Sequence, residues 1–562
     1  MKLYRILNYL KINKPDFVLC DAIKEIINKD IANLYEHREQ IKENIDISDG
    51  LMDKLSKAYT LLTKNKALRN DKIRYYPIET LMELRDFKPL ADYMAKECKN
   101  WIAEKDMHHY IVESILEELE ETNKEIWLEI DYEHLSEIYD NGEILSEGDV
   151  KASIITNSML QYDSMIFWLL EDGELRNAVE TFYRPYFVEY LIDIKSIDQR
   201  FIHELLDRGN ETNIFRCQFA EDNVVDERAV QGYLVSSASP IVLKGKKLVI
   251  NDKLNDKEKE ILEDTYKLKG KYCSSGAEVI RTLQNIFPNV LFNKARIYKV
   301  GNGNSIYIYG KSNGKRRRLL YDIGIDYGTT IYRDSSKMKK VYQPAVNSIR
   351  NLQPHAVIIS HWDSDHYMGC VYARKEIFNC KWIAPDFEKA SKNAKRLGKY
   401  MYLRNKLLML SNDNPMHFRI NNKKTEFYLC KGKKKDSHIT KQNCEGIAVS
   451  LCNRIGKNNR VKVLMQGDVP YKSMPAGANF SGNNPYDYLI VPHHGSEMDV
   501  SLLRSSRKNG IAVISCNGKG NKRPFKAHAD ALKKCYQEVI LTESASKAVL
   551  EINLCKKMIC SK

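Results

Sequence analysis

The chain has 562 residues, enough for two to four domains with real cores, and its 43% apolar and 29% charged residues exclude a largely disordered protein. No apolar run approaches the ~20 residues that span a bilayer, Lys2, Arg5, Lys11 and Lys14 break up any secretory leader, and the 13 cysteines include no C-x-x-C pair, which together point to a reducing cytoplasm. The net charge of +14 is unevenly divided: residues 291–562 hold 49 Lys/Arg against 20 Asp/Glu (+29), residues 1–290 hold 39 against 54 (−15), and a basic half is the expected footprint of a polyanionic substrate.

From residue 1 to about 285 the pattern is that of a mainly α-helical, acidic accessory or regulatory domain. Helical spacing runs through 16–65, 78–104, 111–119, 160–194 and 255–269, with short strands expected only within 231–250. The paired groups Glu117/Glu118 and His108/His109 read as a solvated helix face. After Pro288 the texture changes, with a boundary expected at 285–293 and a second domain over 290–562. Strand-like runs at 295–300, 305–309, 319–323, 356–360, 382–384, 426–429, 446–451, 461–465, 488–491, 512–515, 539–542 and 549–554 alternate with helical stretches at 341–351, 386–410, 498–507 and 528–536. Many strands with interposed helices predict a layered α/β architecture.

The chemistry gathers at strand ends. Ser360-His361-Trp362-Asp363-Ser364-Asp365-His366 follows an apolar strand and packs two imidazoles and two carboxylates into six residues. Those are ligand types for zinc, manganese or iron, and uncoordinated clustered carboxylates would repel one another. Gly467-Asp468 ends a second strand, and Pro492-His493-His494-Gly495-Ser496 delivers two histidines into a turn, one expected as a ligand and the other behind it. Leu319-Leu-Tyr-Asp322-Ile-Gly324 ends a fourth strand in an Asp whose expected task is to hold a ligand histidine or the 361–366 loop.

The set Asp322, His361-x-Asp363-x-Asp365-His366, Gly467-Asp468 and His493-His494-Gly-Ser resembles the metallo-β-lactamase fold superfamily. Within it, Lys299-Val-Gly301-Asn-Gly303-Asn-Ser305 and Ile514-Ser-Cys-Asn-Gly518, followed by Ala527-His528, resemble the soluble hydrolase domain of ComEC-type DNA-uptake proteins and their stand-alone relatives. The resemblance covers about 290–560 and implies a four-layer αββα sandwich with metals along one open edge. It also implies a position for His528 beside the metals, where it would hydrogen-bond the phosphate or the leaving group. The chain departs from lactamase-type members, which carry a His at the position of Asp363. The usual isolated histidine ahead of Gly-Asp is also not evident, and His438 or Asn443 would stand in for it.

These readings lead to two divalent ions, Zn or Mn, bridged by Asp468, one on His361 and Asp363, the other on Asp365, His366 and His493 or His494. The expected activity is phosphodiester hydrolysis, foremost by a nuclease acting on DNA or RNA. Lys315-Arg316-Arg317-Arg318, 337–340 and 431–435, with Tyr327, Tyr332 and Tyr342, would meet the phosphates. A small- or cyclic-nucleotide phosphodiesterase is the second reading, and a partner-binding protein with a non-catalytic metal site the third. The acidic half would recruit a protein partner, as in a bacterial defence-type assembly, or cover the basic domain of its own chain; no membrane is expected among the partners.

Overall fold

The computed structural model describes residues 2–555 apart from 15, 66–74, 121–124, 132–134, 136–138, 141–142, 145–148, 208–213, 221–225, 227, 237–246, 271, 326–342, 412–416, 422–423, 434–440, 456–459, 476–485, 504–509, 517–522 and 546. The chain opens with helices Lys2–Asn13, Asp21–Glu36, Arg38–Asn44, Asp49–Asn65, Tyr75–Asp86, Lys88–Glu97 and Met107–Glu117. Their apolar stripes, including Ile23, Ile26, Ile27 and Ile31 of the second helix, share one core. Arg85 pairs inside it with Asp30, both almost fully buried.

The helices give way to a closed barrel, of which the sequence pattern foretold only the short strands within 231–250. Its strands are β1 (Glu125–Ile130), β4 (Asp149–Ile155), β5 (Val188–Asp193), β6 (Ile214–Ala220), β7 (Ala229–Ser236) and β8 (Lys247–Lys253), in the order β1-β4-β5-β7-β8-β6, with a small hairpin of β2 (Tyr139–Asp140) and β3 (Glu143–Ile144) between β1 and β4. Closure removes the exposed edges that strands this short would otherwise present. The stretch 160–194, expected as helical, is helix Asn157–Asp172, helix Arg176–Phe182 and then β5. In β5, Val188 through Ile192 are all buried, and a run without alternation cannot be told from a helix by its period.

Two seven-stranded sheets follow. The first comprises β9 (Leu291–Tyr298), β10 (Ser305–Ser312), β11 (Lys315–Ile323), β12 (Ala356–Ile358), β13 (Lys381–Pro385), β14 (Leu407–Leu410) and β22 (Val549–Asn553), ordered β14-β13-β12-β11-β10-β9-β22. The second runs in chain order through β15 (His417–Asn421), β16 (Thr425–Lys431), β17 (Ile447–Arg454), β18 (Arg460–Met465), β19 (Tyr488–Ile490), β20 (Ile511–Ile514) and β21 (Glu538–Leu541). Alternation builds the layers. Leu319 and Tyr321, with Val463 and Met465, fill the space between the sheets, whereas Leu320 faces the helices outside the first sheet and Leu464 those outside the second. Helix Gly276–Ile286 sends Val279 and Leu283 into the inter-sheet core, so that core begins ahead of residue 290. The helix expected over 386–410 is shorter, Lys392–Leu403, and hands over to β14; residues 498–503 of the expected helix 498–507 are not helical, and 504–509 lie outside the described residues.

One apolar core runs from Leu3 to Met409, through the N-terminal helices, the barrel and the outer face of the first sheet. Helix Lys392–Leu403 is the centre of this junction. Its Arg396, fully buried, donates to Asp163 Oδ2 at 2.7 Å, the Tyr186 carbonyl at 3.1 Å and the Tyr266 hydroxyl at 3.1 Å. Lys392 and Lys395 pair with Glu263, Lys399 donates to the carbonyls of Thr265 and Lys267 at 3.0 and 2.9 Å, and Arg404 lies 3.1 Å from Glu180. Five cations of the basic half are thus engaged by the acidic half.

Candidate metal centre

Six loops meet at one edge of the sandwich because β10 starts there, β11 ends there, and β12, β18, β19 and β20 all run towards it. Asp322, at the end of β11, is fully buried and sits at φ 52°, a left-handed backbone that few non-glycine residues adopt. Its carboxylate accepts from the Ser360 amide (2.6 Å), the Ser360 hydroxyl (2.9 Å) and Asn304 Nδ2 (3.1 Å), and lies 2.9 Å from His366 Nδ1. Gly324 then passes so close to the 361–366 loop that a Cβ on it would overlap the Asp365 carbonyl oxygen. Asp322 therefore holds both the loop and one of its histidines.

The centre itself is built around Asp468. Its Oδ1 lies 3.1 Å from His366 Nε2 and 3.7 Å from His494 Nε2; its Oδ2 lies 3.8 Å from both His361 Nε2 and His493 Nε2. Asp363 Oδ2 is 2.9 Å from His361 Nε2, and Asp365 Oδ2 is 3.2 Å from His494 Nε2 and 3.8 Å from His366 Nε2. Two adjacent residues reach opposite sides of one carboxylate because His493 and His494 both have left-handed backbones, φ 50° and 54°. Such conformations cost of order 1–3 kcal/mol each and persist where the surroundings fix them. Here the His493 amide donates to the Gly467 carbonyl at 3.2 Å, and His494 Nδ1 meets the Ser515 carbonyl at 2.9 Å.

These residues fit metal ions. His366 Nε2, His494 Nε2 and Asp468 Oδ1 are buried and have no hydrogen-bond partner, although each has an oppositely charged group nearby. His366 Nδ1 faces Asp322 and His494 Nδ1 faces a carbonyl, so both rings aim Nε2 inward. Buried polar atoms left unpaired in this way are costly unless a ligand satisfies them. Two sets of donor atoms fall within 4.8 Å of one another, His361/His366/Asp468 and Asp365/His366/His494. Burial opposes the charged forms, but it is overridden: His366, His494 and His493 hold Asp468 well below the usual carboxylate range, Lys151, His366 and His494 do the same for Asp365, and Asp468, Asp322 and Asp365 hold His366 well above the imidazole range.

Not every expected residue joins this cluster. His528 is buried with both ring nitrogens used, Nδ1 against the Ser496 carbonyl at 2.9 Å and Nε2 against the Tyr471 hydroxyl at 3.0 Å. It braces the 493–496 turn instead of facing a substrate. Lys315 to Arg318 start β11, at the tip joined to β10, whereas Asp322 ends it. Seven residues of extended chain put Lys315 about 23 Å from the metal edge, so this cluster does not line the centre. Lys431 is buried and donates to the Ser411 carbonyl at 2.9 Å. Asn443 is buried three residues before Gly446, in the segment whose Ile447 amide donates to the Ser360 carbonyl. His438, Lys337–Lys340, Lys434, Lys435, Tyr327, Tyr332 and Tyr342 lie outside the described residues. His108 is no solvated residue: its Nδ1 lies 2.6 Å from the Tyr162 hydroxyl amid Phe182, Tyr183 and Tyr186.

Four contributors escaped the sequence pattern. Ser360 and Asn304 bind Asp322, and the alternation of Asp149-Val-Lys-Ala-Ser-Ile-Ile marks a strand whose polar face carries Lys151. Only the fold brings that lysine, from the barrel, to 3.9 Å from Asp365 Oδ1. Glu189 of β5 lies beside it, buried, with its carboxyl pushed up to about 7 by burial against the pull of Lys151.

Residues 298–432 match a family model described as the metallo-beta-lactamase superfamily. Similar solved structures include a variant of the β-hydroxylase CmlA (10% identity over 94% of this chain and 96% of that one, TM-score 0.25) and CmlA itself, a diiron β-hydroxylase from Streptomyces venezuelae (13% identity over 77% and 99%, TM-score 0.26). At these TM-scores neither likeness carries function to this chain. No curated protein matches.

Proposed function

We propose that the metallo-β-lactamase superfamily domain of this chain is a metal-dependent phosphodiester hydrolase, foremost a nuclease. The observation that carries the reading is the division of Asp468, each of whose oxygens faces its own pair of imidazoles, with Asp363 beside one pair and Asp365 beside the other. The donor set suits two divalent ions, zinc or manganese: His361, Asp363 and His493 would hold one, Asp365, His366 and His494 the other, and Asp468 would serve both. Ions so held supply Lewis acidity and a water acidic enough to deprotonate near neutral pH.

The protein's own contribution is to aim the donors. Asp322 and the Ser515 carbonyl fix the tautomers of His366 and His494, while Ser360 Oγ, 3.0 Å from His361 Nδ1, holds the third ring. Burial of all four imidazoles keeps bulk water off the donors and strengthens their electrostatics. The loop before β10 clamps the centre from another side, its Asn304 amide donating to the Asp365 carbonyl and its Gly303 carbonyl accepting from Ser515 Oγ.

The substrate reading rests on charge. The hairpin Lys315–Arg318 lies too far for a mononucleotide at the metal edge to touch, but a duplex covers about 23 Å in roughly seven base pairs. A second reading, a small- or cyclic-nucleotide phosphodiesterase, gains from the inward turn of Lys392, Lys395, Arg396, Lys399, Arg404 and Lys431, which removes those cations from the surface. The test is cleavage of single- and double-stranded DNA, RNA and cyclic dinucleotides with Mn²⁺ or Zn²⁺ over a salt series, beside Asp365→Ala and the double variant Lys315→Gln/Arg316→Gln. Polymer cleavage that falls with salt and with the double variant supports the nuclease. Salt-insensitive turnover of cyclic dinucleotides alone moves the assignment to the second reading. An absence of metal-dependent turnover contradicts both.

A further inference from the structure

We propose that the N-terminal barrel forms a wall of the active site and that its Lys151 is the cation that binds the substrate's anionic group beside the metal centre. The identity of that anion as a phosphoryl group rests on the phosphodiester reading; the placement of the lysine does not.

The barrel presents Lys151 by simple alternation. Val150, Ala152 and Ile154 of β4 are buried, which turns Lys151 and Ser153 to the opposite face, towards the sandwich. That face is pinned on both sides of Lys151's strand. Ser153 Oγ receives Asn393 Nδ2 at 3.3 Å, and Glu129, the register partner of Ser153 on β1, accepts the Lys392 amide at 2.7 Å. Glu189 on β5 is paired with Ser153 and is therefore diagonal to Lys151; it is buried, and its Oε2 has no hydrogen-bond partner. The lysine is thus backed by a buried carboxyl group on the same face of the sheet.

The position matters because of where the centre is most exposed. Side-chain exposure is 25% at Asp363 and 13% at both Asp365 and Lys151, against 7% or less at His361, His366, Asp468, His493 and His494. These three are therefore the most exposed of the charged side chains named at the centre, and the side they occupy is where solvent comes nearest the buried imidazoles. Two of them are carboxylates, with Asp468 and Asp322 behind them, so among the described side chains at this edge Lys151 is the lysine placed to attract an arriving anion beside the metal positions. Lys151 does not compete as a metal donor. It faces Asp365 Oδ1, while Oδ2 of the same carboxylate faces His494 and His366. At 3.9 Å the ammonium is within ion-pair reach of Asp365, and an ammonium carries three donors, so that one of them can turn to a phosphoryl oxygen bound beside that carboxylate.

The alternative is that Lys151 merely steadies Asp365, and the experiment separates the two. Inorganic phosphate is titrated calorimetrically into the full-length, Mn²⁺-loaded protein, its Lys151→Met variant and its Lys151→Arg variant, with metal content measured on each sample. The expected result is that Lys151→Met weakens phosphate binding about tenfold, the loss of one charge-assisted hydrogen bond, at unchanged metal content, and that Lys151→Arg restores most of it. Unchanged phosphate affinity in Lys151→Met, metal loss in step with it, or no phosphate binding by the parent protein would each overturn the inference. Lysine-dependent phosphate binding in a protein that cleaves no phosphodiester would leave the inference standing and remove the proposed function instead.

Discussion

At the scale of single residues, the centre depends on side chains that never face the reaction. Asp322 accepts three hydrogen bonds and holds His366 by Nδ1, so its loss frees both the ring and the 361–366 loop. Asp322→Ala is expected to lower metal affinity 10–100-fold, read by competition with a chromophoric chelator. His108 supplies a prediction in pH. Burial depresses its pKa to about 3, so it stays neutral in the folded chain, while the unfolded chain takes up that proton near pH 6.5. Its contribution to stability is therefore complete above about pH 6.5 and declines by up to ~1.4 kcal/mol per pH unit as the pH falls towards 3. Urea denaturation of the parent and His108→Gln from pH 7 to 4 checks this, the variant losing stability less steeply.

At the scale of elements, legibility followed how local the signal is. His361 through His366 lie within one loop, so spacing alone announced a metal site, and Asp468 and His493/His494 announced themselves as polar residues capping apolar strands. What spacing could not show was that left-handed backbone at two successive histidines sends both to Asp468. β14, Leu-Leu-Met-Leu, is buried on both faces and carries no period of its own, so it merged with the helix before it. Of the barrel strands, β7 and β8 overlap the short strands expected within 231–250, but β5 escaped for the same reason as β14, and closure was hidden because it depends on pairings between distant segments such as β6 with β8. Helix Lys392–Leu403 misled differently, since its cations read as surface charge. Arg396 and Asp163 are both fully buried, and breaking such a pair leaves one charge uncompensated. Arg396→Ala is expected to destabilise the protein by about 3–5 kcal/mol, measured as a shift in the chemical denaturation midpoint, and Lys392→Ala, whose partner Glu263 is part-exposed, by clearly less.

At the scale of the whole molecule, the opposed charges of the two halves have a structural use. The −15 half engages a helix of the +29 half, shares its apolar core and reaches the metal edge through Lys151. Charge counting located the asymmetry, but a count cannot say which cations point inward, and that is why the basic half overstated its free surface for nucleic acid. The hydrolase reading survives this correction because it rests on the donors around Asp468. The most direct measurement is the metal stoichiometry of the full-length protein, reconstituted with Mn²⁺ or Zn²⁺, freed of excess ion and analysed by plasma mass spectrometry beside Asp468→Ala. Two ions per chain in the parent and fewer than one in the variant is the predicted result; a parent chain that retains none, or a variant that retains as many as the parent, would contradict it.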